Sequence, residues 1–199
     1  MQEYLNASDV IDWQHSEIMQ LADQIALSCE TSTATAKACF EWVRDNIYHS
    51  VDYQMNPVTC RASDVLKYKT GYCFAKSHLL AALLRAKQIP AGFCYQRLSF
   101  NHKGAPYTLH GFNAVYLPEI GWYRIDPRGN KAGVNAQFIP PQEQLAYQPE
   151  PPEEVDFSAI LAEPLSIVVD ILQNQTTWSS VLRDLPDMPL EAAKDYGLV

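Results

Sequence analysis

Gly71-Tyr72-Cys73-Phe74-Ala75-Lys76-Ser77-His78-Leu79-Leu80-Ala81-Ala82-Leu83-Leu84-Arg85-Ala86-Lys87-Gln88-Ile89-Pro90 reads as a turn, a long helix and its stop. From about 73 to 87 many residues are good helix formers, and Leu79, Leu80, Leu83 and Leu84 supply a core face. Pro90 lacks an amide hydrogen and ends the run. Beyond it the period changes to two. Residues 91–100 read as a strand, with Phe93 and Tyr95 on one face and Cys94 and Leu98 on the other. Residues 109–117 and 121–126 read as further strands, joined as a hairpin through Pro118-Glu119-Ile120-Gly121, and Asn101-His102-Lys103-Gly104 reads as a turn.

Upstream the pattern is helical. Ile18, Leu21, Ala22 and Ile25 mark a helix over 16–29. After Thr31-Ser32-Thr33, Ala36, Phe40, Val43 and Ile47 mark a second over 34–47, with Trp42 read as core. A loop over 53–59 and a short helix opening at Ser63 lead back to Gly71. Helices first and strands after give an α+β class, with N-terminal helices packed on an antiparallel sheet. Residues 1–138 form the expected core domain. Pro140, Pro141, Pro149, Pro151 and Pro152, with acids among them, make 139–156 an extended acidic linker. Residues 157–199 form a C-terminal extension, whose stretch 164–173 fits helix or strand because it is largely β-branched. Its apolar side chains favour docking on the core, or on a second copy of the chain.

Composition narrows the function classes. The chain has 199 residues, a formal net charge of −8 and no basic cluster, so nucleic acid is a poor partner. No apolar run approaches the ~20 residues of a membrane span, and no apolar leader core follows Met1, which sets the expectation of a cytoplasmic protein with no membrane partner. The cysteines Cys29, Cys39, Cys60, Cys73 and Cys94 are odd in number and without a C-x-x-C, so neither a disulfide framework nor a metal site is expected. No cofactor is expected either.

Cys73 stands apart because it falls where the turn becomes the long helix. The unpaired N–H groups and partial positive charge of a helix N-terminus favour a thiolate and can hold an oxyanion. Taken alone it also reads as a buried core cysteine, the commoner fate of a free thiol. A nucleophile needs a base, and the base an orienting acid. His78 points about 140° away round the same helix. His102 lies in a polar turn, and His15 and His49 lie at helix ends or in loops. His110 opens a strand expected beside the helix, and Asp126 ends the partner strand. Read singly, these two also fit a core histidine and a turn residue. A hairpin folding about Glu119–Ile120 sets Asp126 opposite Phe112–Asn113, some 7–10 Å along the strand from His110.

These pieces, in this order, resemble the transglutaminase-like superfamily. They are Phe40-Glu41-Trp42-Val43-Arg44-Asp45-Asn46-Ile47, Arg61-Ala62-Ser63-Asp64-Val65-Leu66, Gly71-Tyr72-Cys73, His78 to Ala86, Ile89-Pro90-Ala91, His110, and Gly121-Trp122-Tyr123-Arg124-Ile125-Asp126-Pro127. The resemblance spans roughly 34–130, looks most like bacterial members, and implies a papain-like fold with a Cys–His–Asp triad carried over to Cys73, His110 and Asp126. It implies a thiol acyl-transfer enzyme acting on a protein or peptide substrate, with an amine or water as acceptor. The alternative is a non-catalytic peptide- or protein-binding module on the same fold. Two departures touch the cleft walls: His110-Gly111-Phe112 where relatives often have His-Ala-Trp, and Asp126-Pro127-Arg128 where many have Asp-Pro-Thr. An upstream side chain assists the oxyanion hole in some relatives, and Tyr53 and Gln54 are the candidates here.

Overall fold

A computed structural model describes residues 1–100 and 103–199, so the expected turn at 101–104 lies half outside the described residues. A 3-10 turn, Gln2–Leu5, precedes α1 (Ser16–Ala26) and α2 (Ser32–Asn46). His15 caps α1 by accepting from the Glu17 amide, and Thr31 caps α2 by accepting from the Ala34 amide. Helix α1 stops short of Cys29, in a tight turn where the amide of exposed Leu27 donates to the Gln24 carbonyl. The strand pair β1 (Tyr48–His49) and β2 (Thr70–Gly71) runs parallel and ties His49 to Gly71. Between them lie α3 (Ser50–Tyr53) and α4 (Ala62–Tyr68). Ser63 does not cap α4. It sits inside the first turn, where its amide and hydroxyl both donate to Asp12, at 3.0 and 2.5 Å.

Helix α5 (Cys73–Ala86) is buried all round, from Cys73 to Arg85. Its Lys76 ammonium donates to the Ile47 carbonyl and, at 3.2 Å, to that of Arg44, at the C-terminal end of α2. A cation there satisfies orphan carbonyls and the helix dipole. Burial, reinforced by nearby Arg128, lowers its pKa to about 7. Lys76 thereby fixes α2 and the start of β1 against the helix that carries Cys73.

Strands β3 (Ala91–Ser99), β4 (Tyr107–Leu117) and β5 (Gly121–Ile125) pair antiparallel, in the order β5-β4-β3. Alternation divides their side chains as the sequence predicts. Phe93 and Tyr95 enter the main core against α5, while Cys94 packs with Phe112 and Ala114 on the other face. Asn113 donates across the helix–sheet seam to the Ser77 carbonyl, at 3.1 Å.

The acidic stretch is less featureless than its composition suggests. It holds most of a small hairpin, β6 (Gln137–Ile139) with β7 (Gln142–Gln144), and then β8 (Val155–Asp156), which adds to the free edge of β3. Short strands suffice because neighbouring side chains anchor them: Arg124 reaches Glu143 and Asp156 at 2.7 and 2.6 Å. Beyond it come α6 (Ser166–Asn174), α7 (Trp178–Arg183) and α8 (Leu190–Ala193). The helix-or-strand alternative resolves to helix, since Leu165, Val168 and Leu172 bury at helical spacing. Phe157, Val181, Met188 and Leu198 also enter the main core. Among the described residues no helix is long and apolar enough to cross a membrane.

Candidate active site

Cys73 is the first residue of α5, and the Tyr72 side chain before it does not cap the helix. The Tyr72 hydroxyl donates instead to the Trp178 carbonyl, at 2.5 Å. The Cys73 amide therefore lies in an uncapped first turn beside its own thiol. Cys73 and His110 line one cleft of about 680 Å³.

β-sheet geometry brings His110 to Asp126. Asn113 pairs with Ile125, so Asp126 falls against Phe112 one residue past the last rung. Residues 110 and 112 share a face, which makes Asp126 and His110 diagonal neighbours. Their side chains close the remaining gap, with His110 Nε2 2.8 Å from Asp126 Oδ2. The carboxylate is held in turn by the Arg128 amide on Oδ1, at 3.1 Å, and the Ala146 amide on Oδ2, at 3.0 Å. Since Nε2 is engaged by Asp126, Nδ1 is the nitrogen left for a thiol, and Cys73 lies close enough on the same cleft to act on the charge of the ring. Burial acts to lower the His110 pKa. The Asp126 and Cys73 charges and hydrogen bonds outweigh it, raising that pKa to about 10. Asp126 is also buried, yet His110 and the two amides hold its pKa below the usual carboxylate value.

Burial pushes Cys39, Cys60 and Cys94 up to about 12, and the charges of Lys87, Arg61 and Arg124 offset only part of it. His78 is a core residue bonded to the Cys60 carbonyl at 2.8 Å, and burial lowers it to about 4.

Tyr53 and Gln54 do not line the Cys73 cleft. Tyr53 is 61% exposed and packs on Tyr48, with ring centroids 4.7 Å apart. Gln54 turns away in a left-handed conformation that ends α3. The side chains that reach the cleft from this part of the chain are His49, Val51 and Asp52. His49 is brought there by its pairing with Gly71. Burial and the nearby Arg128 guanidinium hold its pKa well below the usual imidazole range.

Both departures from the family pattern have structural partners. Arg128 forms a two-pronged pair with Asp52, at 2.6 and 3.2 Å, and Lys131 shares that carboxylate at 2.6 Å. Tyr147 stands edge-on to the His110 ring, with centroids 5.0 Å apart. At Gly111 a Cβ would lie 2.6 Å from Phe74 Cδ1, so this strand position, between His110 and the helix residue after Cys73, has room for no side chain. Gly111→Ala is expected to cost about 1–3 kcal/mol through overpacking. That reads as a fall in Tm of roughly 2–4 °C per kcal/mol for a chain this size. An unchanged melting temperature would show that the helix–strand contact yields.

Residues 19–127 match the family model of the transglutaminase-like superfamily. No curated protein matches the chain in sequence. Among solved structures the chain is similar to a candidate cysteine protease from Cytophaga hutchinsonii, with 23% identity and a TM-score of 0.50, over 63% of this chain and 40% of that one. It is also similar to the periplasmic domain of TgpA from Pseudomonas aeruginosa, with 23% identity and a TM-score of 0.46, over 62% and 45%. It thus spans less than half the length of either structure. The first likeness is one of fold.

Proposed function

The chain belongs to the transglutaminase-like superfamily, and from that premise we propose that it is a thiol acyl-transfer enzyme acting on a carboxamide or peptide carbonyl. The observation that carries this reading is the His110–Asp126 hydrogen bond set beside a thiol at an uncapped helix start, in one open cleft. Cys73 Sγ attacks the carbonyl carbon and forms the C–S bond, while the Cys73 amide faces the developing oxyanion. The His110 imidazolium gives its proton to the leaving nitrogen, the C–N bond breaks, and a thioester remains on Cys73. The acceptor, an amine or water, gives a proton to His110 as it attacks the thioester, and the C–S bond breaks to restore the thiolate–imidazolium pair. Asp126 keeps the ring oriented and its charge compensated. The substrate class is a protein or peptide.

The test is ammonia release from glutamine-containing peptides, with and without a primary amine. Turnover supports the reading, and incorporation of the amine identifies the acceptor. A folded protein that binds such peptides without turning them over is a binding module.

The acid–base assignment makes its own prediction. His110 stays protonated up to about pH 10, so the alkaline limb of kcat/KM is expected there, since that profile reports the free enzyme. Asp126→Asn keeps a hydrogen-bonding partner of the kind found in Cys–His–Asn sites but removes the charge that raises the His110 pKa. Activity is expected to persist at neutral pH, with the alkaline limb moved to lower pH. A limb that stays in place would mean that Asp126 does not set the charge on His110.

A further inference from the structure

We propose that the C-terminal segment from Trp178 to Asp187 is a specificity wall of the Cys73 cleft, on which Leu182 and Leu185 hold an apolar side chain of the acyl donor beside its reacting carbonyl. This rests on the thiol acyl-transfer reading above. Both leucines line the cleft that contains Cys73 and His110, and both keep part of their surface open to it. They lie well beyond residue 127, where the family match ends, so this wall is additional to the shared core.

The segment is fixed to the residues immediately preceding the two reacting groups. Tyr72, before Cys73, donates its hydroxyl to the Trp178 carbonyl at 2.5 Å. Leu109, before His110, donates its amide to the Pro186 carbonyl at 2.7 Å. The β4 edge is open there because β5 pairs only with residues 113–117. Asp187 adds a two-pronged pair with Arg97, at 2.7 and 2.8 Å, and the Trp178 amide donates to Asn56 Oδ1 at 2.8 Å. Val181 and Met188 anchor the wall in the core. A rigid wall placed this way keeps its half-buried leucines at a fixed distance from Sγ, as a subsite requires. With Val51 on the same cleft the surface is apolar, whereas Arg128 and Lys131 make another part of the lining polar. An apolar pocket of this kind discriminates by roughly tenfold or more per methylene it can bury.

The experiment compares iodoacetamide with N-hexyl iodoacetamide on the full chain, reading Cys73 alkylation by peptide mapping. Each rate is divided by that of the same probe on a free cysteine derivative. The hexyl probe is expected to react about tenfold or more faster than the small one in the natural protein. In Leu182→Ser and Leu185→Ser that ratio falls toward unity. Leu182→Trp, which fills the subsite rather than hollowing it, is expected to lower the same ratio, and it decides the matter if the serine variants melt early. A ratio near unity in the natural protein, or one preserved in all three variants, overturns the proposal. The small probe separates this from the underlying reading: if iodoacetamide modifies Cys73 no faster than Cys29, the thiol-enzyme reading fails and the subsite falls with it.

Discussion

Cys73→Ala is expected to lower acyl transfer by about 10³-fold or more, because no other group can form the thioester and triad members act as a unit. The fold is expected to survive. Cys73 begins its helix rather than interrupting it, and alanine is the best helix former. What is lost is one sulfur atom beside an open cleft, a packing loss of about 1 kcal/mol or less. Glutamine-peptide turnover and a melting curve check both halves. Natural turnover by the alanine variant would refute the nucleophile. A melting temperature lower by tens of degrees would show that Cys73 is structural.

Truncation after Gln137 carries the largest expected effect on stability. It removes Phe157, Leu165, Val168, Leu172, Val181, Met188 and Leu198, all nearly fully buried in the core that also holds α5. Each such side chain is worth about 1.5–3 kcal/mol, so losing only a few of them matches the roughly 5–15 kcal/mol that holds a typical domain together. Buried polar groups would also lose some of their partners. Fully buried Arg85 loses the Ala162 carbonyl and its pair with Glu163, and Asp126 loses the Ala146 amide. Uncompensated buried charge is itself costly. The shortened chain is expected to lack a cooperative melting transition. A soluble monomer melting at the temperature of the full chain would contradict this.

The parts of this molecule legible in its sequence are those governed by local rules. The α5 helix is announced by composition and by Pro90, but its burial on every side, with Lys76, His78 and Arg85 included, is not. Strand alternation separates Phe93 and Tyr95 from Cys94, and the hairpin turn sets Asp126 against Phe112. The distance left between Asp126 and His110 looks awkward only if strand spacing alone is counted, because same-face diagonal neighbours add the reach of two side chains. Less legible are the contacts made across long separations. His49 enters the cleft through a strand pair two residues long, which has no periodicity to read. Asp52 finds Arg128 and Lys131 more than seventy positions away. Tyr53 and Gln54 looked suitable by loop position, but the short α3 turn carries them out of the cleft. Leu182 and Leu185 line the Cys73 cleft because the tail returns to the edge of β4 at Leu109, which no local pattern encodes.

The most direct measurement is a brief pulse of iodoacetamide at neutral pH, followed by peptide mapping of every cysteine in the natural protein and in His110→Ala. If Cys73 is a thiolate paired with His110, it is alkylated at least about tenfold faster than half-buried Cys29. Cys39, Cys60 and Cys94 stay essentially unmodified, and the Cys73 rate drops when the imidazole is removed. Slow modification of Cys73, no faster than that of Cys29 and indifferent to His110, would contradict the reading of this cleft as a thiol active site.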